Sequence, residues 1–283
     1  MRNRQATAND HLPGMLRLEL AVEPHCRPLY LRKGEPAQVA GDNNLSGLLI
    51  RVGADLSCGN ANGPIRMHSG EFVYVPIPEG DQRVDQNFGT RYDALAARVT
   101  AMVGAGRDVS PWLPSRDWTH LDPDFDHLTY GNNENVKATR LAQLKPGDFL
   151  AFYASLRAVD QPGTLVYALI GLITVDRIVK ADTISDTERH LNAHTRRTPV
   201  VASDVVIFGV PELSGRLERA IPIGEYRDRA YRVRVDLLEA WGGLTANDGY
   251  IQRSAVPPGF VDSTRFMAWL KGQRVPLVAR NWD

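Results

Sequence analysis

The first clear apolar run in the chain is Leu48-Leu49-Ile50-Arg51-Val52, which predicts a short buried strand. A turn-rich stretch from Gly53 to Ile65 comes next, and Glu71-Phe72-Val73-Tyr74-Val75 predicts a second strand closed by Pro76 and Pro78. Leu95, Val99, Met102 and Val103 then share one helical face. They predict an amphipathic helix over about 91–103, ended by Gly104.

The second half reads as β-rich. Leu144-Lys145-Pro146-Gly147-Asp148 is a turn that launches the strand Phe149–Tyr153. Val166 to Val179 is apolar nearly throughout, as in a strand buried on both faces or bent at Gly171. Val205–Phe208 predicts another strand, and the alternation from Tyr231 to Leu237 predicts a half-buried one. Ser185-Asp186-Thr187-Glu188 fits a capping box opening a helix to about Arg196. Asp262 or Ser263 is placed to cap a terminal helix presenting Phe266, Met267, Trp269 and Leu270.

Ahead of all this, residues 1–46 are weakly patterned. Leu16 to Leu20 alternates like a short strand, but Pro24, Pro28, Gly34 and Pro36 keep any regular element from extending beyond it. The organisation expected is an extension over 1–46 and one α+β domain over 47–283, with a mixed β-barrel core and flanking helices.

Lys plus Arg balance Asp plus Glu at 33 each, so any surface for nucleic acid must be a local patch. No apolar window approaches membrane-spanning length, and Met1 to Asp10 is polar with no signal-peptide core. A cytoplasmic location is the resulting expectation. Two cysteines, Cys26 and Cys58, are too few for a disulfide scaffold or a Cys-based zinc site. Cys58 has no evident His partner for a catalytic thiol. There is no G-x-S-x-G elbow and no Walker A loop.

The densest chemistry lies in Thr119 to Gly131, where His120, Asp122, Asp124, Asp126 and His127 fall among Pro123, Phe125 and Tyr130. Three uses remain open. Two carboxylates and a His suit a divalent ion; His120 or Asp122 suits a general base; Phe125 or Tyr130 suits stacking on a base. The plain alternative is a loop whose Asp groups cap turns while Phe125 docks in the core.

The loop after the first strand adds Asp55 and Asn60 among small residues. It would approach a ligand through backbone N–H groups, or simply satisfy its own turns. His190 and His194 lie four apart on the expected helix, among Arg189, Arg196 and Arg197. H-x-x-x-H is a metal-ligand spacing, but Leu191 follows the first His where a zincin has Glu, so the pair reads more simply as a basic helix face, solvated or touching phosphate. Ser214-Gly215-Arg216 and Arg253 are phosphate candidates, against the alternative of a salt-bridged surface. No further His-rich ligand set of familiar spacing stands out, so no metal ligand is assigned and no cofactor is named.

Several of these segments resemble one family. Arg51-Val52-Gly53-Ala54-Asp55 with Gly59 and Gly63-Pro64-Ile65, then Phe72 to Glu79, is similar to the opening of the nucleotide modification associated domain 3 family. His120 to Phe125 with Thr129-Tyr130-Gly131, and Leu144 to Tyr153, resemble its central signature; Asn192-Ala193-His194 and Ser214 to Leu217 also fit. The resemblance spans about 47–283. It implies a link to systems that modify or process nucleotides or nucleic-acid bases, and does not state a reaction. The Pro-Gly-Asp turn and the strands around it are also similar to PUA, ASCH and EVE barrels, which hold a base or modified base. That is an analogy of fold alone.

The expectation is therefore an α+β protein with a PUA-like barrel that binds or processes a nucleotide or a modified base. Its partner would be a nucleotide or nucleic acid, DNA ahead of RNA, and not a membrane. Asp55, His120 and Asp122 are the acid/base candidates. Asn60, Phe125, Tyr130, Ser214, Arg216 and Arg253 are the ligand-binding ones. A non-catalytic reader of modified nucleic acid and a metal-dependent hydrolase or nuclease are the rival readings.

Overall fold

The computed structural model describes residues 45–283 apart from 59–60, 81–84, 86, 134–135 and 254–255. Nearly all of the expected N-terminal extension, with its short strand at 16–20, lies outside the described residues. In chain order the first elements are β1 (Gly47–Arg51), β2 (Pro64–Ile65), β3 (Ile77–Pro78), β4 (Thr90–Arg91), α1 (Asp93–Val103), β5 (Trp118–His120), β6 (Thr129–Asn132) and α2 (Val136–Leu141). Then come β7 (Phe149–Ala158), β8 (Leu165–Lys180), β9 (Val205–Gly209), β10 (Gly215–Pro222), β11 (Gly224–Arg227), β12 (Ala230–Val233), α3 (Val235–Trp241), α4 (Ser263–Gly272) and β13 (Leu277–Val278).

The antiparallel pair β7–β8 is the spine, and its side chains alternate between two cores. Leu150, Phe152, Ala154 and Leu156 join one core; Phe149, Ala151 and Tyr153 join the other. This explains the apolar runs over 149–154 and 166–173, which are buried on both faces, whereas the far end of β8, from Asp176 to Lys180, is charged and partly exposed. In β8 the parity changes along the strand. Val166, Ala168 and Ile170 share the first core, but beyond Gly171 it is Ile173 and Val175 that do so. The register breaks at that point, with Phe152 opposite Gly171 and Tyr153 opposite Leu169. Gly171 also has no room for a side chain: a Cβ there would stand 2.4 Å from the Phe125 ring and 2.9 Å from the Gly215 carbonyl oxygen. The expected burial on both faces and the irregularity at Gly171 are both present.

β1 runs parallel to β7, β10 pairs with β8, and β13 pairs with β10. β9 takes the far half of β8 and carries β6 on its other edge. A separate antiparallel sheet has the order β3-β5-β4, and β11–β12 forms a hairpin. The α+β class holds. Among the described residues the pairings branch and show no closed ring, so they do not bear out the expected barrel. No described helix is long and apolar enough to cross a membrane.

The second core is aromatic. Phe266 of α4 stacks on Phe149 at 5.4 Å and meets Trp241 of α3 edge-on at 5.2 Å. Burying a ring of this size contributes roughly 2–3 kcal/mol. Asp262 caps α4 as expected, accepting a hydrogen bond from the Arg265 N–H at 2.9 Å. A third cluster packs Leu95, Val99, Met102 and Val103 of α1 against Val73, Val75 and Trp112.

Three expected elements differ. Residues 72–75 are buried while Glu71 is exposed, and the segment pairs only through a bridge at Phe72, with Pro76, which has no N–H to give a ladder, directly after it. The alternation at 231–237 stops at Val233, where α3 begins two residues later. Its Leu237 and Trp241, four apart and both buried, carry the helical period that the alternation masked. The 185–196 helix is a six-residue 3₁₀ turn, Asp186–Leu191. The Ser185 hydroxyl bonds to the Glu188 carboxylate at 3.0 Å rather than to a backbone N–H, so the box does not cap the turn.

The segment near residue 281 is fastened to the central loop. Asn281 is fully buried; its side-chain oxygen accepts from the Phe125 N–H at 2.7 Å. Its amide nitrogen donates to Asp124 Oδ1 at 2.8 Å and Asp126 Oδ2 at 2.7 Å. Asn281→Ala leaves the Phe125 N–H buried without an acceptor. It is expected to cost about 2 kcal/mol in chemical denaturation; an unchanged midpoint would show that the loop does not depend on this tie.

Candidate functional site

β5 ends at His120, and its antiparallel pairing to β3 sets Ile77 opposite His120. Glu79, two residues past Ile77, therefore reaches the same ring: its Oε2 lies 2.9 Å from His120 Nδ1. The chain then turns through Asp122, joined to Pro123 by a cis peptide, and the Tyr74 hydroxyl donates to the Asp122 carbonyl at 2.9 Å. The Asp122 side chain points inward. Its Oδ1 accepts from the Gly131 N–H in β6 at 2.8 Å and from Asn192 Nδ2 at 3.1 Å.

After the 3₁₀ turn the chain enters the interior. Asn192 Oδ1 accepts from the His194 N–H at 2.9 Å, which fixes the direction of the segment. His194 Nδ1 lies 2.6 Å from Asp204 Oδ2, just ahead of β9. Its Nε2 faces Asp122 Oδ2 at 3.8 Å, and the His120 and His194 rings meet edge to face at 4.9 Å. Arg197 donates to Glu79 Oε1 at 2.8 Å and comes within 3.8 Å of Asp204 Oδ2. Arg197 Nη2 also approaches His120 Nδ1 at 3.2 Å. One nitrogen cannot serve both neighbours. Glu79 is the nearer and can only accept, so Nδ1 carries the proton and Arg197 belongs to Glu79.

The basic, solvated helix face expected for His190 to Arg197 is thus corrected. His194, Arg196 and Arg197 are buried because four carboxylates, Glu79, Asp122, Asp124 and Asp204, wait for them inside. Burial pushes the Asp122 carboxyl up to about 6, against the opposing pull of His120, the Gly131 N–H and Asn192. His194 is lowered to about 4, chiefly by burial, with Asp204 opposing. Glu79 would also be raised by burial, but His120 and Arg197 outweigh that and hold it at about 2.

A second network is structural. Asp124 accepts from Arg196, from His127 at 3.0 Å and from Asn281, and Arg196 also donates to the His190 carbonyl at 2.7 Å. It braces the loop from beneath and leaves no open carboxylate.

Of the residues expected from sequence, His120 and Asp122 meet in this centre. Asp55 does not join them. It pairs with Arg51 at 2.6 Å and accepts from Ser57, and Arg51 lies over Tyr167 on the opposite face of the spine. Asn60 lies outside the described residues. Phe125 is fully buried between Tyr74 and Phe152, so neither ring face is offered to a base. Tyr130 is buried against Phe152, its hydroxyl accepting from Lys137 at 2.8 Å. Ser214 is buried, its hydroxyl accepting from the Thr174 N–H at 3.0 Å. Arg216 is buried over Phe72 and pairs with Asp283 at 2.7 Å. It holds the C-terminal segment and does not reach for phosphate. Arg253 is exposed.

Glu79 and Asp204 are not singled out by the sequence, and Arg197 enters only as part of a basic face. Glu79 and His194 stood in segments that carried the family resemblance, which was the available signal; Asp204 had none. A separate cavity of about 290 Å³ is lined by Arg107, Trp112 and Arg157 and by none of the expected residues.

A family model described as nucleotide modification associated domain 3 matches residues 47–240. The chain belongs to that family. Neither a curated protein nor a solved structure matches it significantly. The part matched to nucleotide modification associated domain 3 contains Glu79, His120, Asp122, His194 and Asp204; the Asn281 tie and α4 lie beyond it.

Gly131 is where the backbone of this nucleotide modification associated domain 3 chain closes on the site. A Cβ there would stand 2.4 Å from His194 Cδ2 and 2.7 Å from Asn192 Oδ1. Gly131→Ala is expected to displace the imidazole and weaken ligand or metal affinity about 10–100-fold. Gly80→Ala, where nothing lies within 4 Å, is the control. Equal affinity in the two variants would show that the His194 position does not matter.

Proposed function

We propose that this chain binds a nucleotide or nucleic-acid base and modifies or processes it at the His120–Asp122–His194 centre. The observation that carries the reading is the convergence of two carboxylate-backed imidazoles on a third carboxylate. All of these groups lie within the span matched to a nucleotide-modification family. With Nδ1 of His194 bonded to Asp204, its Nε2 presents a lone pair to whatever enters beside Asp122. An acid/base pair so placed contributes about 10²–10⁴ in rate.

A non-catalytic reader is the second reading, favoured by the β11–β12 hairpin. There Tyr231 stacks on Tyr167 at 4.3 Å, and Tyr226, 65 % exposed, meets Tyr231 edge-on. Such a face suits stacking on an unpaired base.

The test is a thermal-shift panel of nucleosides, nucleotides and short DNA and RNA strands, followed by product analysis of each stabilising ligand. One class is expected to raise the midpoint by about 5–10 °C near a hundredfold excess over its dissociation constant and to be converted. Stabilisation without conversion, lost in Tyr226→Ala, would favour the reader. No stabilisation by any class would sink both readings.

A further inference from the structure

We propose that His120, Asp122 and His194 form a binding site for one divalent transition-metal ion of the zinc or ferrous type. The inference rests on the site proposed above and deepens it by naming the cofactor class.

Each imidazole has its Nδ1 committed to a carboxylate, His120 to Glu79 at 2.9 Å and His194 to Asp204 at 2.6 Å. That leaves Nε2 of both rings as lone-pair donors in their neutral form. Asp122 has Oδ1 committed to Gly131 and Asn192, while among the described residues Oδ2 accepts no hydrogen bond. Its neighbour is His194 Nε2 at 3.8 Å, too far for a hydrogen bond. Two acceptors facing each other across a buried gap are unfavourable unless a cation lies between them. One ligand atom from each of the three residues lies within 4.8 Å of the others. Bonds of about 2.0–2.2 Å to a shared ion place ligand atoms roughly 3–4 Å apart; the Asp122–His194 pair already has that spacing, and a closure of at most about 1–2 Å by the remaining ligand completes the set.

Charge balance points the same way. Three carboxylates, Glu79, Asp122 and Asp204, stand against the guanidinium of Arg197 and the more distant ammonium of Lys137. With both imidazoles neutral the group keeps a negative surplus that a divalent ion removes. The backing is also what a metal site needs. A carboxylate behind each ligating His fixes its tautomer and raises its basicity, and here both rings have one. Two nitrogens with one oxygen suit zinc or ferrous iron, whereas magnesium and calcium prefer all-oxygen cages. The three residues leave further coordination positions for water or substrate.

The test uses the full chain stripped with a strong chelator and titrated separately with Zn²⁺, Fe²⁺ under anaerobic conditions, Co²⁺ and Mg²⁺. Binding is read by calorimetry and by the visible ligand-field bands of Co²⁺. One equivalent of Zn²⁺ or Fe²⁺ per chain, Co²⁺ bands of nitrogen–oxygen ligation and no comparable Mg²⁺ binding are expected. His194→Gln should weaken binding at least tenfold. Because a buried variant can misfold, Glu79→Gln is the companion: it keeps the shape and should weaken binding about 10-fold. No stoichiometric binding to the wild-type chain, or binding unchanged in both variants, overturns the proposal. The nucleotide panel run in chelator separates the two ideas. Nucleotide stabilisation without metal binding removes this inference and leaves the function, whereas metal binding without any nucleotide response does the reverse.

Discussion

Asp122→Asn is expected to lower turnover by about 10²–10⁴ while leaving the fold at least as stable as the wild type. The variant keeps an oxygen at the Oδ1 position, so the Gly131 N–H and Asn192 Nδ2 retain their acceptor. It replaces Oδ2 with an amide that can donate to His194 Nε2, now 3.8 Å away. A buried charge disappears, and with it the penalty that pushes the Asp122 carboxyl up to about 6. Stability and chemistry should therefore separate. Denaturation midpoints would hold or rise while product formation in single-turnover assays collapses. A variant that unfolds early would assign Asp122 to the scaffold. One that turns over normally would remove it from the chemistry.

Arg196→Met should give the largest loss of stability, about 3–5 kcal/mol. The guanidinium is buried, paired to Asp124 and bonded to the His190 carbonyl at 2.7 Å. Methionine fills much of the volume but leaves Asp124 as a buried anion without its guanidinium partner. For a chain of this size the loss corresponds to roughly 10 °C in melting temperature. The double variant Asp124→Asn with Arg196→Met removes both charges and should recover part of it. If the double variant is no more stable than Arg196→Met alone, the pair is not the source of the effect.

The spine of the fold was legible because both faces of β7 and of β8 up to Val175 are buried, which leaves an apolar signature too long to mistake. α1 and α4 were legible through periodicity and, for α4, through the Asp262 cap. The site was half legible. His120 and Asp122 lie close together in sequence and crowd a loop, so their density was visible. Glu79, His194 and Asp204 come from three separated segments, and only pairing of β3 with β5 and the inward path after Leu191 bring them together. The reading failed at Arg196 and Arg197 because a run of basic residues looks solvated until its buried anions are known. Asp55 lies apart from His120 and Asp122 for a related reason. Its loop is polar and turn-bound, but strand alternation at Arg51 sends its partner to the other face of the sheet.

The ties around the centre also bear on the order in which the molecule forms. Glu79 and His120 are 41 residues apart, Glu79 and Arg197 are 118 apart, and Asn281 and Phe125 are 156 apart. Closing such long loops costs entropy before any contact repays it, so the β7–β8 hairpin should condense first and the polar centre last. Hydrogen exchange pulsed during refolding would then protect Phe152 and Ile173 well before Gly131. The chemistry thus becomes available only once the long stretch from Glu79 to Asp204 has closed on itself.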